Sequence, residues 1–319
     1  MRVLVTGATG FVGNALIPEL IAAGHNVRAA VWSDLGGNLA DGVEAIEVGD
    51  IGPETNWDEA LDGIEGVIHL AARAHVMNET SIDPLAQYRR INTSGTQRLA
   101  EAAGRAGVGR FVFLSSVKVN GERTEGCPFN EAFVPAPEDA YGITKWEAEQ
   151  ALEAEASRCG METVILRSPL VYGPGVKGNY LRLLGFCNKG LPLPLCAIRN
   201  TRSLIYVGNL ANALQTSLDH AAAAGETFLV SDGAPVSTPD LIRAIAVALG
   251  SRAPLFPMPE TLLRTVARVL GKSGMAERLI GSLAVDDRKI RQILAWHPPF
   301  SMLEGLRETA AWYLSQDRS

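Results

Sequence analysis

The stretch Arg2-Val3-Leu4-Val5-Thr6-Gly7-Ala8-Thr9-Gly10-Phe11-Val12-Gly13 decides the fold of this chain. Its apolar start predicts a buried strand over residues 2–5, and the apolar periodicity that follows predicts a helix over residues 12–23. Between them, glycines with the spacing GxxGxxG let the backbone turn tightly, approach a pyrophosphate and pack helix on strand, while the helix N-terminus attracts an anion. The stretch therefore predicts a dinucleotide-binding turn, with a glycine-rich turn that binds nothing as the alternative. The expected cofactor contacts in this turn are Gly7, Thr9, Gly10, Phe11, Val12 and Gly13.

The rest of the N-terminal half repeats this alternation of strand and helix. Further apolar runs, rich in Val, Ile, Leu and Phe without strict alternation, predict strands that are covered by helices on both faces. These strands are residues 27–31, 45–48, 66–69, 110–114 and 162–166, and longer predicted helices cover residues 83–106 and 141–159. Because crossovers between parallel strands are right-handed, this order predicts an α/β fold with a doubly wound parallel sheet of the Rossmann type.

After Pro169 the sequence pattern changes, because prolines and glycines interrupt the apolar runs. Four helices are predicted there, at residues 210–220, 239–249, 259–270 and 301–314. A smaller helical part over the carboxyl ends of the strands would close the crevice in which α/β proteins bind ligands. We expect a dinucleotide-binding domain over residues 1–168, with a return segment near residues 200–225. Residues 169–319 are expected to be mainly substrate-binding.

The composition excludes several classes of function. The 319 residues are 47% hydrophobic, and 29 basic against 35 acidic side chains give a net charge of −6, unlike a nucleic-acid binder. The four cysteines form no CxxC pair and the five histidines no HExxH pair, so we expect reduced thiols and no metal. Glycines interrupt the apolar N-terminus, and no run of about 18 apolar residues occurs. We therefore expect a cytoplasmic protein without a signal peptide or membrane contact.

The choice between NAD and NADP stays open in the sequence. An acidic residue at the tip of the second strand normally binds the adenosine ribose of NAD. The segment Ala30-Val31-Trp32-Ser33-Asp34 has no carboxylate at the strand tip and no arginine after it. Asp34 either reaches the ribose or is a solvated loop acid. Asp50, after the third strand, either accepts a hydrogen bond from the adenine amino group or caps a turn.

The segment Tyr141-Gly142-Ile143-Thr144-Lys145 is the second strong signal. Four residues apart on a helix, Tyr141 and Lys145 share one face, and the ammonium is expected to lower the phenol pKa from its reference near 10. Tyr141 would then exchange a proton at neutral pH, although an exposed helical tyrosine and lysine are the alternative. Ser115 and Ser116 follow a predicted strand, at the sheet edge where a hydroxyl can hydrogen-bond a substrate oxygen.

Five further segments, spread along nearly the whole chain, carry a resemblance to a known family. They are His69-Leu70-Ala71-Ala72, Asn92-Thr93-Ser94-Gly95-Thr96, Ser115-Ser116-Val117-Lys118-Val119-Asn120-Gly121, Arg167-Ser168-Pro169-Leu170-Val171-Tyr172-Gly173-Pro174-Gly175 and Arg202-Ser203-Leu204-Ile205-Tyr206-Val207. With the glycine turn and the YxxxK pair, they resemble the extended short-chain dehydrogenase/reductase family of nucleotide-sugar epimerases, dehydratases and reductases. The fourth segment departs from the family pattern at Ser168, where a proline is usual.

The resemblance implies roles for named residues. The implied catalytic residues are Ser116, Tyr141 and Lys145, and the implied cofactor is NAD or NADP. The implied cofactor contacts outside the glycine turn are Asp50, Ile51, Leu70, Ala71, Ala72, Asn92, Tyr141 and Lys145. The implied contacts to a UDP-sugar substrate are Ser116, Asn179, Arg202 and Arg278. Arg202 matches the residue that holds the nucleotide diphosphate, whereas Arg278 is either a nucleotide contact or a surface arginine.

The departures from the family narrow the implied reaction. Dehydratases carry Asp-Glu directly after the catalytic hydroxyl, where this chain has Val117 and Lys118, so dehydration is not expected. The motif stretches look closest to bacterial O-antigen enzymes of the UDP-N-acetylquinovosamine type, and to UDP-glucose 4-epimerases. The leading implication is reduction of a UDP-4-keto-6-deoxy-N-acetylhexosamine at C4 for surface polysaccharide synthesis. A UDP-hexose 4-epimerase and a non-catalytic cofactor-sensing regulator are the alternatives, and the family habit implies a homodimer through helices 83–106 and 141–159.

Overall fold

The computed structural model describes residues 1–33, 39–74, 83–269, 271 and 273–316. The strands are β1 (Arg2–Thr6), β2 (Asn26–Val31), β3 (Glu44–Glu47), β4 (Gly66–His69), β5 (Arg110–Ser116), β6 (Glu162–Ser168), β7 (Leu170–Tyr172), β8 (Leu204–Tyr206) and β9 (Glu226–Leu229). Seven of them form one parallel sheet with the order β3-β2-β1-β4-β5-β6-β9, and β7 and β8 form a separate parallel pair. The chain order reverses between β1 and β4, which confirms the predicted doubly wound sheet.

Helices cover both faces of this sheet. The helices on one face are α1 (Phe11–Ala22), α7 (Val207–Asp219) and α11 (Arg288–Leu294), and those on the other are α2 (Asp58–Leu61), α4 (Gly95–Ala106) and α5 (Ala140–Cys159). Strand β1 shows why the strands are apolar throughout. Val3 and Val5 belong to the core under α1 and α7, whereas Leu4 belongs to the core under α4 and α5. Successive side chains of a strand point to opposite faces, so a doubly covered strand has no polar side.

The predicted helix over residues 83–106 is interrupted in the structure. It consists of α3 (Pro84–Tyr88), a π-helical segment over Arg89–Ser94, and α4. Asp83 caps its start by accepting a hydrogen bond from the backbone N–H of Ala86. The π-helical segment carries Asn92, and such insertions occur frequently at functional sites.

The C-terminal part packs around the β7–β8 pair. Its helices are α6 (Gly178–Asn188), α8 (Thr238–Ala248), α9 (Glu260–Val269), α10 (Ser273–Ile280) and α12 (Met302–Gln316). Buried Tyr172 and Tyr206 lie in a core formed with side chains of α6, α8 and α12. Between β8 and β9 the chain passes through α7, which packs on the large sheet, so β9 adds a seventh strand beside β6. The division into two domains stays a prediction.

Strands β7, β8 and β9 were not predicted, because β7 and β8 span only three residues each and the four-residue β9 begins with the polar pair Glu226-Thr227. Helices α6, α10 and α11 were also missed, and the last residue of the predicted helix 259–270 lies outside the described residues. Among the helices in the described part of the chain, none combines the length and the apolar character needed to span a membrane.

Candidate active site

The glycine turn between β1 and α1 has no room for side chains. Gly7 has a φ of +69°, and a Cβ there would lie 2.9 Å from the backbone nitrogen of Ala71. A Cβ on Gly13 would lie 2.3 Å from the carbonyl oxygen of Ala8. At Gly10 the corresponding distance, to the carbonyl oxygen of Gly7, is 3.0 Å, and the Gly10 N–H donates to the same oxygen. Because Thr9 and Gly10 are exposed at the start of α1, the turn offers backbone N–H groups to an anion.

The segment after β4 lies against this turn. The backbone N–H of Leu70 donates to the Thr6 carbonyl oxygen (3.2 Å), and that of Ala71 donates to the Thr6 hydroxyl (3.2 Å). Leu70, Ala71 and Ala72 are all half-buried. The structure thus brings the predicted HLAA segment beside the predicted glycine turn, as one shared cofactor wall requires.

A buried histidine, whose role sequence reasoning missed, fixes this wall. His69 Nδ1 lies 2.6 Å from Thr6 Oγ1, and His69 Nε2 lies 3.0 Å from Thr96 Oγ1. The Thr96 hydroxyl itself donates to the Asn92 carbonyl oxygen, so Nε2–H is the donor toward Thr96 and Nδ1 the acceptor from Thr6. Burial lowers the pKa of His69 to about 3, and the nearby Lys145 charge adds to this. His69 is therefore neutral, and its two ring nitrogens join β1 to α4.

Two further predicted cofactor contacts, Asp50 and Ile51, follow β3 in the chain. Asp50 is exposed, and its carboxylate lies 3.8 Å from Arg90 Nη1. Half-buried Ile51 fills the space beside Gly95, where a Cβ would lie 2.8 Å from Ile51 Cγ2. Asp34, the candidate ribose ligand, lies outside the described residues.

Ser116 and Tyr141 lie at the ends of two elements that approach each other closely. Ser116 ends β5, and its Oγ accepts a hydrogen bond from the Lys118 N–H (3.3 Å). Tyr141 lies in the first turn of α5, which Asp139 caps by accepting from the Gly142 N–H (2.7 Å). A Cβ on Gly142 would lie 2.7 Å from the Lys118 carbonyl oxygen. Gly142, a residue that sequence reasoning did not single out, therefore lets the start of α5 pack against the turn after Ser116.

Lys145 lies one helical turn beyond Tyr141 and is 1% exposed. Its ammonium nitrogen is 3.8 Å from the centre of the Phe113 ring, a cation–π contact. Burial lowers the pKa of Lys145 to about 7, and the Glu149 carboxylate opposes this shift.

The prediction that Lys145 lowers the Tyr141 pKa is wrong for this structure. Burial raises the pKa of Tyr141, and the Asp139 carboxylate and the neighbouring Tyr88 phenol, whose ring lies 6.5 Å away edge-on, raise it further. At neutral pH Tyr141 is therefore a protonated phenol, which is the form that donates a proton.

Asn92 ties the segment after β4 to the catalytic helix. Its Oδ1 accepts from the Arg73 N–H (2.8 Å), and its Nδ2 donates to the Arg73 carbonyl oxygen (3.2 Å) and to Thr144 Oγ1 (3.1 Å). Thr144 directly precedes Lys145. Asn92 was predicted to contact the cofactor. In the structure its amide group makes hydrogen bonds within the protein, and these hold the segment after β4 against α5.

Two arginines come together at the candidate substrate end. Arg202 is half-buried and donates through Nη1 to the Gly281 carbonyl oxygen (2.9 Å). Burial lowers its pKa, and the charge of Arg278 in α10 lowers it further. In the described part of the chain neither arginine has a carboxylate partner, so the pair can accept an anion with several oxygens. Asn179 lies half-buried in the first turn of α6, and no hydrogen bond in the described residues joins it to either arginine.

The two positions after Ser116 carry no acid. Val117 is buried, and Lys118 Nζ lies 2.8 Å from the Glu122 carboxylate and also contacts Asp139. Burial acts to lower the pKa of Lys118, but the hydrogen bonds that its ammonium donates to Asp139 and Glu122 raise it overall. Lys118 is therefore a charged, paired side chain.

Comparison with known proteins shows the family of this chain. Residues 3–231 match the family described as the NAD dependent epimerase/dehydratase family. A protein from Vibrio cholerae named UDP-glucose 4-epimerase is 44% identical over 315 residues, which cover 98% of this chain and 95% of that protein.

Solved structures share the whole fold. The UDP-glucose 4-epimerase of Thermus thermophilus, solved in complex with NAD, has a TM-score of 0.78 at 26% identity, covering 98% of this chain and 99% of the other. MoeE5, solved in complex with UDP-glucose and NAD, has a TM-score of 0.78 at 28% identity and covers both chains completely (100%).

Proposed function

The chain belongs to the NAD-dependent epimerase/dehydratase family of short-chain dehydrogenase/reductase enzymes, and from that premise we propose that it acts at C4 of a UDP-hexose, as a 4-epimerase. The observation that carries this proposal is the approach of Ser116 and Tyr141 across Gly142, with Lys145 one turn behind and paired arginines at the far end. The relatives named for UDP-glucose support the substrate class.

The residues present fit NAD. At Gly7 and Gly13 a Cβ would collide with backbone atoms, so the turn at the start of α1 is shaped for close approach by a pyrophosphate. The wall formed by Leu70, Ala71 and Ala72 and the Lys145 ammonium would hold the remainder of the cofactor. When bound, NAD supplies reversible hydride exchange.

The protein's own groups then handle the proton and the substrate. Tyr141 exchanges a proton with the sugar O4, and Ser116 hydrogen-bonds the same oxygen. Lys145, one helical turn beyond Tyr141, would hold the cofactor ribose through its ammonium group. Arg202 and Arg278 bind the diphosphate, which is far from the reacting carbon and fixes its position.

Dehydration is not part of this proposal. Eliminating water from the sugar needs an acid and a base of its own, and the relevant positions hold buried Val117 and paired Lys118. Lys118 is a protonated ammonium that donates to two carboxylates, so it is not available as a base.

A second candidate is net reduction of a UDP-4-keto sugar for surface polysaccharide synthesis. The raised pKa of Tyr141 favours it, because a protonated phenol is the donor that a ketone oxygen needs during reduction. The segment Val31-Trp32-Ser33 favours it as well, since a strand tip without a carboxylate suits a cofactor that is exchanged after each turnover. This candidate leaves the choice between NAD and NADP open.

One experiment separates the two candidates. The purified chain is incubated with UDP-glucose, UDP-N-acetylglucosamine or a UDP-4-keto-6-deoxy-N-acetylhexosamine, and the sugar is analysed while NAD(P)H absorbance is followed. Inversion at C4 without absorbance change supports the epimerase. Stoichiometric consumption of NAD(P)H supports the reductase. Turnover that persists unchanged in Tyr141→Phe would contradict both.

The predicted homodimer through the helix formed by α3 and α4 together with α5 stays a prediction, as does the cytoplasmic location. Sedimentation of the purified chain tests the former.

A further inference from the structure

Glu149 is a buried acid on the catalytic face of α5. Tyr141, Lys145 and Glu149 are spaced four residues apart, so they share one face of the helix. Glu149 is 0% exposed, whereas acidic side chains are almost never fully buried unless paired. Neither the proton transfer nor the substrate binding proposed above uses this carboxylate.

Three donor groups satisfy the Glu149 carboxylate. Ser115 Oγ donates to Oε1 through a short hydrogen bond, and Arg167 donates through Nε (3.1 Å to Oε1) and Nη2 (2.6 Å to Oε2). Arg167 is itself 5% exposed, and its Nη1 donates to Asn120 Oδ1 (3.3 Å). A buried ion pair is tolerated only when its geometry and hydrogen bonds are this complete.

The pair joins β6 to β5 and α5, the two elements that carry the proposed catalytic groups. Ser115 in β5 is the register partner of Arg167 in β6, and Ser115 directly precedes Ser116. Glu149 belongs to α5, two turns beyond Tyr141. A change at Glu149 therefore acts on both the serine and the lysine without touching either reacting atom.

Glu149 also lies one helical turn beyond Lys145, on the same face of α5. Among the described residues, two titratable groups interact electrostatically with the Lys145 ammonium. Glu149, on the same helix, raises the pKa of Lys145, and the charge of Lys145 lowers the pKa of the neutral His69 on β4. The Phe113 ring lies against the ammonium. The Glu149 charge works against the burial that lowers the Lys145 pKa to about 7. One helical turn beyond Glu149, the exposed Glu153 has a pKa raised by partial desolvation and by the Glu149 charge.

We propose that Glu149 is a positioning residue which, anchored by Ser115 and Arg167, keeps the Lys145 ammonium charged and in place beside Tyr141. The proposal rests on the proposed catalytic role of Lys145. In this proposal the Arg167 guanidinium is the counter-charge that allows the Glu149 carboxylate to be fully buried.

The test measures Lys145 directly in the full chain. The pH dependence of Lys145 acetylation is determined by mass spectrometry, together with the pH profile of kcat. In Glu149→Gln, loss of the negative charge lowers the Lys145 pKa, so the pH of half-maximal labelling falls by about one unit. The alkaline limb of kcat moves the same way, because Lys145 loses its proton at a lower pH. The matched control is Glu155→Gln, since Glu155 is also buried in α5 and paired with Arg158 (2.6 Å), and it leaves both profiles unchanged.

Glu149→Gln leaves Arg167 buried without a counter-charge, which destabilises the fold, so a second variant is needed. Glu149→Leu/Arg167→Met removes both charges at similar volume, a replacement that buried ion pairs tolerate. We expect Lys145 labelling in this double variant to stay shifted to lower pH, because the Glu149 charge is still missing. A wild-type labelling profile in the folded double variant overturns the inference and leaves Glu149 a merely structural role.

Lys145→Met separates this inference from the proposed function. If Lys145→Met is inactive and Glu149→Gln labels like the wild type, only the inference fails. If Lys145→Met turns over at the wild-type rate, the proposed function fails and the inference fails with it.

Discussion

The candidate cofactor end and the candidate substrate end of the proposed site are built by different means. At the cofactor end, formed by the glycine turn of residues 7–13 and the segment of residues 69–72, backbone packs directly on backbone, and neutral His69 joins the strands to α4. At the substrate end, Arg202 and Arg278 bring two like charges together without a carboxylate partner in the described residues. At Gly7 and Gly13 the first end is packed so closely that an added Cβ would collide with backbone atoms. The second end carries positive charge that no carboxylate balances in the described residues, so substitutions there should change anion binding more than they change folding stability.

Tyr141→Phe should have the largest effect, because Tyr141 lies between the two ends. Loss of the only proposed proton donor and acceptor at O4 lowers kcat by about 10²–10⁴-fold, while NAD binding at the glycine turn survives. Steady-state kinetics and calorimetry with NAD check this. A variant that loses NAD binding and turnover together would indicate collapse of the site instead.

Gly10→Val should affect the cofactor end alone. The added side chain lies against the Gly7 carbonyl oxygen and displaces the N–H groups that face the pyrophosphate. Because more than one charge-assisted hydrogen bond is lost, the Kd for NAD rises by at least about 100-fold. Since Gly10 is exposed, the Tm changes little. Gly10→Ala serves as the milder matched variant, and an unchanged Kd in both would remove the glycine turn from the account.

Arg202→Ala should affect the substrate end alone. One charge-assisted contact to the diphosphate is lost, which raises KM for a UDP-sugar by about 10- to 100-fold with a smaller change in kcat. Arg202→Lys recovers part of this, since a lysine lacks the planar fork of the guanidinium. The exposed Arg199 supplies the control Arg199→Ala. Equal KM values in Arg202→Ala and the wild type would argue against a nucleotide diphosphate at this end.

At the cofactor end, His69 should make the unfolding free energy of the protein depend on pH. His69 has its pKa lowered from 6.5 to about 3 by burial, so the unfolded chain takes up a proton that the folded chain refuses. As the pH falls from about 6.5 toward about 3, this group costs about 1.4 kcal/mol of unfolding free energy for each pH unit. Denaturant unfolding of His69→Gln should show a flatter acid limb. An identical limb would mean that His69 is protonated in the fold.

Local patterns predicted the parts of the fold that depend on neighbours in sequence. The glycine turn and the first six sheet strands were readable because each is a run of several residues with its own periodicity or spacing. Strand β9 was not, since its four residues gain their place only from pairing with β6. The π-helical segment that carries Asn92 was not predicted either, because the apolar periodicity of the sequence does not distinguish it from the surrounding α-helix.

The site was predictable as residue types but not as an electrostatic environment. Ser116, Tyr141 and Lys145 were proposed from spacing and resemblance, whereas the close approach at Gly142 depends on the Lys118 carbonyl oxygen, 24 residues earlier in the chain. The Tyr141 pKa was predicted in the wrong direction, because spacing on a helix says nothing about how deeply the phenol is buried. The Glu149–Arg167 pair was missed for a similar reason, as β6 brings the arginine back beside α5.

The central claim, chemistry at C4 of a UDP-hexose, is tested most directly with a substrate that carries deuterium at C4. The wild-type chain is incubated with C4-deuterated UDP-hexose and NAD, and the product is analysed by NMR and mass spectrometry. The account predicts a slower rate than with the unlabelled sugar and a C4-inverted product that keeps its deuterium. An equal rate with loss of the label to water would contradict it.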